Sequence, residues 1–432
     1  MKILYSFSIH LYHAAIRTAS LFNPKAKLWV EGRRNIFQKI ASELKPSTNG
    51  SQLIWFHCAS LGEFEQGRTV MEKLKKQDPE IKILLTFFSP SGYEIRKNYE
   101  GADYVLYLPI GTRHNAERFV KLIKPKAVFF VKYEFWFNYL NELKNQKVPV
   151  YLISGIFRED QYFFKWYSRW FREQLNRFTH FYLQDEESKK LLNSIGYTNI
   201  TVSGDTRFDR VFEIAENVKS ISLIEKFKQD KQLLVAGSTW EEDEKIISDL
   251  KFHASGFKLI IVPHEIDESH IQLIESIFIP ILRNGLKDGE GAGRACLRYS
   301  QADDKNITTA SVLIIDNIGM LSSIYQYASI AYVGGGFGKG IHNILEPAAF
   351  GLPVIFGPNY NKFTEAIELI QAGGAFSFSS RDELKNIFNF LKAPAALKKT
   401  SEISKSYVSS RIGATDKILK SISLQKNKEI IN

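Results

Sequence analysis

The chain has 432 residues, of which 44% are hydrophobic, 24% charged and 13% aromatic, and its formal net charge is +10. That length holds two or three domains with ample cores, and so apolar a composition excludes disorder. Only two cysteines occur, Cys58 and Cys296, which excludes a disulfide scaffold, a Cys-rich zinc site and an iron–sulfur cluster, and suits a reducing compartment.

The basic excess is confined to one half. Residues 1–210 hold 32 Lys and Arg against 21 Asp and Glu, whereas residues 211–432 hold 25 against 26. Such asymmetry fits an anionic partner for the first half: nucleic acid, acidic lipid or a phosphorylated substrate. A soluble surface that is simply basic fits it too.

The first element is an uncharged run, residues 3–16, bracketed by Lys2 and Arg17 and carrying His10 and His13. It is shorter than the roughly 20 apolar residues of a membrane span, and no A-x-A cleavage site follows it. Apolar residues at 4, 7, 9, 11, 12, 15 and 16 partly follow one helical face, and Lys25, Lys27, Arg33 and Arg34 come next. This order predicts, over residues 1–34, an interfacial helix and basic segment lying on an anionic membrane. The other reading is a helix packed on the protein's own core.

Apolar runs at 52–57, 81–87, 126–131, 148–153 and 179–183 then alternate with helical stretches, the first helix spanning about 63–76. The rhythm pauses around 204–230 and restarts with runs at 232–236, 257–262, 311–315, 329–333 and 352–356. Strands alternating with helices predict parallel, doubly wound sheets. The expected architecture is α/β, with a Rossmann-like domain over 35–210 and a second over 211–432 that includes the C-terminal helices. A cleft is expected between the two, and ligands of such sheets bind outside the carboxyl ends of the strands. The Gly-rich stretch 284–294 is expected to be a mobile loop, and the Lys/Ser-rich tail to fray.

Several motifs lead nowhere. Gly334-Gly335-Gly336-Phe337-Gly338-Lys339-Gly340 matches neither a Walker loop nor G-x-G-x-x-G. It follows a strand, so it is read either as a backbone phosphate cradle or as a plain turn. The acidic run Glu241-Glu242-Asp243-Glu244 reads as first-turn acids favoured by the helix dipole. No metal-ligand cluster, G-x-S-x-G elbow or apolar-flanked Asp-x-Asp occurs. The stretch 161–171, QYFFKWYSRWF, is read equally as an interfacial helix or as a buried stripe.

Glu63, directly after Gly62 where the first strand gives way to a helix, is poised at a sheet's carboxyl end and suits a general base. It stands in the block His57-Cys58-Ala59-Ser60-Leu61-Gly62-Glu63. In order after it come Ser89-Pro90-Ser91-Gly92-Tyr93-Glu94, Tyr133-Glu134-Phe135-Trp136, Gly204-Asp205-Thr206-Arg207 and Gly237-Ser238-Thr239-Trp240-Glu241. Val262-Pro263-His264, Asp316-Asn317-Ile318-Gly319 and Val333-Gly334-Gly335…His342-Asn343-Ile344-Leu345-Glu346 complete the series. Taken together and to about residue 365, this series resembles the 3-deoxy-D-manno-octulosonic acid (Kdo) transferases of lipopolysaccharide synthesis.

The resemblance implies a GT-B glycosyltransferase that moves Kdo from CMP-Kdo to a lipid A precursor, lipid IVA, with inversion. It implies no metal and no cofactor, and a place on the cytoplasmic face of the bacterial inner membrane. By the same resemblance Glu63 is the general base, and Glu134 and Arg207 stabilise the transition state. Many family members carry Lys where Arg207 stands. The positions matching the CMP site are Pro263 and His264; Ile318, Gly319 and Met320; and Asn343, Ile344, Leu345 and Glu346. His264 stands where Arg is frequent, and Met320, where an acid is frequent, is left with backbone contacts only. The alternatives are a GT-B transferase using a UDP-sugar and another lipid or polysaccharide acceptor, and a non-catalytic membrane-associated binding protein. No recognised nucleic-acid module is present.

Overall fold

Fourteen strands form two parallel sheets of seven in a computed structural model, which describes residues 2–44, 52–132, 134–250, 256–283 and 295–429. The first sheet contains β1 (Leu53–Cys58), β2 (Lys82–Phe87), β3 (Tyr104–Tyr107), β4 (Ala127–Val131), β5 (Val150–Gly155), β6 (His180–Leu183) and β7 (Ile200–Val202). Its order is β3-β2-β1-β4-β5-β6-β7. The second contains β8 (Gln232–Thr239), β9 (Phe257–Pro263), β10 (Ala295–Arg298), β11 (Ala310–Ile314), β12 (Ile330–Val333), β13 (Val354–Phe356) and β14 (Ala375–Ser377). Its order is β10-β11-β9-β8-β12-β13-β14.

The central strands are apolar almost without interruption because helices cover both of their faces. In β4 (Ala-Val-Phe-Phe-Val) every residue is buried. The side chains that β1 sends to one face, Trp55 among them, join one core, and Phe56 and Cys58 join another. Apart from the edge strand β10, which lies outside β11, the winding reverses once in each sheet, between β1 and β4 and between β8 and β12. These reversals are where an open α/β sheet leaves a crevice at its carboxyl edge.

The chain divides into two compact units, Val211–Arg411 and a first unit made of Met1–Arg210 with Ile412–Asn432. This corrects the expected extent of the second domain, since the last helix, Ala414–Glu429, packs on the first unit. Ile418, Leu419 and Ile422 form an apolar stripe buried with Phe64 and Met71 of the helix after β1. The Asp209 carboxylate fastens the return by accepting the N–H groups of Gly413 and Thr415 at 2.5 and 2.6 Å. The Gly-rich stretch 284–294 and residues 430–432 at the end of the tail lie outside the described residues.

At the N-terminus, helix Lys2–Ala19 meets helix Pro24–Glu31 in a hairpin, where Asn23 caps the second helix by accepting the Lys25 and Ala26 N–H groups. One side of the first helix packs inward: Tyr5 lies 5.0 Å from Phe137 and 6.1 Å from Trp170, and Ile9 is buried. The other side leaves Leu4, Phe7 and Leu11 more than 60% exposed, with Leu21 and Phe22 at 75% and 87% in the turn that follows. The reading of a helix packed on the protein's own core thus describes one face, and the other face is apolar and exposed. None of the helices among the described residues is long and apolar enough to cross a membrane.

Two expectations about this surface need correction. Arg33 is not part of an exposed basic segment. Its buried guanidinium donates to the carbonyls of Phe88 (2.7 Å), Leu108 (2.9 Å) and Trp29 (3.1 Å) and lies over the rings of Trp29, Tyr107 and Phe88. Burial pulls its pKa down to about 9, which leaves it cationic at neutral pH. The stretch 161–171 is not one helix either: a 3₁₀ turn at Tyr162–Phe164 buries Phe163, and an α-helix starts only at Arg169. Between them Trp166 and Tyr167 stand exposed, at 89% and 66%.

Replacing Arg33 with Met strands three carbonyls and is expected to cost about 2–4 kcal/mol. Urea denaturation of the two proteins reads this difference, and an unchanged midpoint contradicts the role.

Candidate active site

In the first unit the three predicted catalytic residues gather at the carboxyl edge of the sheet. Strand β1 ends at Cys58, Ser60 takes up extended geometry, and helix Leu61–Gln77 begins, which places Glu63 in its first turn. The positive end of the helix dipole thus lies beside the Glu63 carboxylate. The Ser60 hydroxyl donates to Glu63, so the side chain is held without being sealed from solvent. Glu134 follows β4, the neighbour of β1, and is buried. Its Oε2 accepts the Trp136 indole N–H and faces His57 Nε2 at 3.2 Å.

Arg207 opens helix Thr206–Glu216, after β7. Its Nε and Nη2 both reach Asp205 Oδ2 at 2.7 Å, while Asp205 Oδ1 accepts the Arg207 backbone N–H at 2.9 Å. The Thr206 hydroxyl donates at 2.6 Å to the carbonyl of Gln66, one turn beyond Glu63, and lies 2.9 Å from Ser154 Oγ at the end of β5. These bonds join Arg207's segment to Glu63's helix. The buried Cys58 thiol senses the same cluster: burial first, then the charges of Glu63 and Glu134, hold its pKa well above the ordinary value. Two carboxylates and a guanidinium thus share one edge, where they can take a proton and balance a forming charge.

In the second unit the predicted nucleotide-binding positions also converge, in two adjoining clusters. Pro263 closes β9, and His264 bonds its N–H to the Thr239 carbonyl at 2.9 Å. The His264 ring stacks on His342 at 4.3 Å and lies 4.8 Å from Trp240, whose indole N–H points at His342 Nε2 across 3.3 Å. Asn343 and Glu346 form the second cluster. Glu346 accepts the Ser322 hydroxyl at 2.6 Å and the Asn343 amide at 3.0 Å, and Ser322 follows the Ile318-Gly319-Met320 segment by two residues.

Four of these positions need separate comment. Gly319 has φ of +92°, a conformation that favours glycine, and Ile318 beside it is 91% exposed. Ile344 and Leu345 are buried, so their side chains belong to the core and only their backbone is left for a ligand.

The Gly-rich segment before them is neither a free cradle nor a slack turn. A Cβ at Gly334 would stand 2.3 Å from the Ser238 carbonyl oxygen, and one at Gly336 would stand 2.6 Å from the Gly357 Cα. The N–H groups of Gly334, Gly335, Gly338 and Gly340 are already bonded within the protein. The organiser is Asp243, which accepts Tyr332 Oη at 2.6 Å, Gly335 N–H at 2.9 Å and Trp240 N–H at 3.0 Å. Burial pushes its pKa up, and burial does the same to Glu244, which receives Thr239 Oγ1 at 2.8 Å and lies 3.0 Å from His270 Nε2. First-turn dipole acids account for only part of what this run does.

Sequence reasoning missed His57, Asp205, Trp240, Asp243, Ser322 and His342 as site residues. Most sit inside the quoted blocks, so their position was visible, but which partner each would meet across the sheet was not.

Comparison with known proteins points in one direction. Residues 32–210 match the family model described as 3-deoxy-D-manno-octulosonic-acid transferase (kdotransferase). The 3-deoxy-D-manno-octulosonic acid transferase of Rickettsia bellii is 28% identical over 351 residues, 79% of this chain and 80% of that protein. The enzyme of the same name from Aquifex aeolicus is 28% identical over 338 residues, 77% of this chain and 83% of that protein. Among solved structures, UDP-GlcNAc 2-epimerase from Neisseria meningitidis, bound to UDP-GlcNAc, is similar in fold, with a TM-score of 0.59 at 17% identity over 87% of this chain and 100% of that one.

The stacked imidazoles generate a prediction. Burial first, and then the neighbouring His264, pull the His342 pKa down to about 4. An unfolded chain binds this proton below about 6.5 and the folded chain does not, so His342 takes stability away as pH falls from 6.5 toward 4. Measured by urea denaturation across that window, the wild type is expected to lose stability relative to His342→Gln. A difference that does not vary with pH contradicts the shift.

Proposed function

We propose that this chain is a Kdo transferase of the GT-B type, which transfers Kdo from CMP-Kdo to the lipid A precursor, lipid IVA. In this reading a Glu63 oxygen takes the proton from an acceptor hydroxyl as that oxygen attacks the anomeric carbon of Kdo. The new C–O bond forms on the face opposite the phosphate, the bond to the phosphate breaks, and CMP leaves with the electron pair, so the configuration inverts. Glu134 and Arg207 stabilise charge at the reacting centre. Arg207 shares its guanidinium with Asp205, which keeps the cation oriented while part of its charge is already balanced.

The observation that supports this reading most is that Glu63 and Glu134 follow the two adjacent strands, β1 and β4, between which the first sheet reverses its winding. On the donor side, Asn343 and Glu346 supply an amide and a carboxylate of the kind that bind ribose hydroxyls, and Ile318 supplies an exposed apolar face for a base. His264 stands beside them as a donor toward phosphate. The reaction as drawn moves one proton and one leaving phosphate and calls for no metal.

Attachment to the inner membrane, on its cytoplasmic face and without a span, is the matching proposal for location. The apolar row Leu4, Phe7 and Leu11, with Leu21 and Phe22 after it, enters the interface. Trp166 and Tyr167 join it, and exposed Lys25, Lys27 and Arg34 meet anionic lipid headgroups.

Kinetics of a conservative variant test the reading. Glu63→Gln keeps the shape and removes the base, so turnover is expected to fall by about 10² to 10⁴ with CMP binding unchanged. In the same assay CMP should compete with the donor and UDP should not. Full turnover by Glu63→Gln, or competition by UDP alone, contradicts the proposal.

A further inference from the structure

His57 lies in the middle of an apolar strand, is fully buried, and is engaged at both ring nitrogens. Nδ1 is 2.9 Å from Thr86 Oγ1 and 3.1 Å from the Thr86 carbonyl, and Nε2 is 3.2 Å from Glu134 Oε2. Three arrangements of protons are conceivable, and the surroundings separate them.

The decisive neighbour is Trp55. Its indole N–H donates to Thr86 Oγ1 at 2.7 Å, which takes one of that oxygen's two lone pairs and turns the hydroxyl proton away from the indole. Two acceptors are in reach, His57 Nδ1 at 2.9 Å and the Phe56 carbonyl at 3.4 Å, and the shorter contact is to the imidazole. With Nδ1 accepting, the neutral ring carries its proton on Nε2 and donates it to Glu134. The opposite tautomer would set the Nε2 lone pair against a carboxylate oxygen. A doubly protonated ring would turn Nδ1–H to the oxygens of Thr86 and leave the Thr86 hydroxyl only its longer contact, 3.4 Å, to the Phe56 carbonyl.

We propose that His57, held as the Nε2–H tautomer by the Trp55–Thr86 relay, is a positioning residue that fixes the Glu134 carboxylate at the reacting centre. Two N–H donors, from His57 and from Trp136, converge on one oxygen of Glu134. Oε1 is then the atom left to act on a substrate, and the carboxylate cannot rotate without breaking both bonds. This inference rests on the role given to Glu134 in the proposed function.

Selective ¹⁵N-histidine labelling of the full chain reads the tautomer, with the His57 signals assigned by their loss in His57→Gln. The expected pattern is a protonated Nε2 and an unprotonated Nδ1; a protonated Nδ1 overturns the inference whatever the activity. For function, His57→Ala should lower kcat by about 10- to 100-fold with KM for donor and acceptor little changed. His57→Gln, which returns an N–H near the Nε2 position, should recover most of that loss.

Should His57→Ala not fold, Thr86→Val cuts the relay while keeping the side-chain shape, and it should both mix the tautomers and lower kcat. An unchanged kcat in His57→Ala, or in Thr86→Val with mixed tautomers, overturns the positioning role. Glu134→Gln separates the two levels of the argument. If it leaves kcat intact, the role of Glu134 itself fails, and the positioning role with it, even where the tautomer is as stated.

Discussion

The direction of the strands is the constraint on which the rest of this structure depends. Every strand pairing described in either sheet is parallel. A parallel pair cannot be closed by a tight turn, so each strand is followed by a crossover, and all carboxyl ends fall on the same edge of their sheet. That is why residues as distant in sequence as Glu63, Glu134 and Arg207 share one edge of the first unit. The same rule collects Trp240, His264, His342 and Glu346 in the second. Polar side chains are tolerated at these ends because each finds a partner: Glu134 meets His57 and Trp136, Asp205 meets Arg207, and Asp243 meets Tyr332 and Gly335.

Much of this was legible in the sequence, and what was missed has a pattern. All ten apolar runs read as strands are strands, because the inner strands of a covered parallel sheet are continuous hydrophobic segments. The four unread strands, β3, β7, β10 and β14, are the outermost strands of the two sheets. They have three or four residues each and are partly exposed, so a chain such as Ile200-Thr201-Val202 carries too little apolar signal to separate from a loop. The last helix was placed with the wrong unit for a related reason. Its stripe of Ile418, Leu419 and Ile422 states that it is buried, but not against what.

The same limit applies at the sites. The resemblance carried by the sequence blocks pointed to Glu63, Glu134 and the proposed nucleotide-binding positions. It did not show that Ile344 and Leu345 face the core, that Arg33 is buried among carbonyls, or that Arg207 is tied to Asp205. Nor did it reveal the path from Trp55 through Thr86 and His57 to Glu134, which crosses three neighbouring strands and the turn after the last of them. Periodicity reports which residues are inside. Partners across a sheet follow from register, and one sequence alone does not give it.

The central proposal is that this chain moves whole Kdo units onto a lipid A precursor. Mass spectrometry of the product tests it most directly, with the purified full chain given CMP-Kdo formed in the assay and a tetra-acylated lipid A precursor in detergent. The account predicts that the acceptor gains mass in whole Kdo increments, whose number counts the additions. An acceptor that stays at its original mass with CMP-Kdo, yet gains a sugar when a UDP-sugar replaces it, would contradict the account.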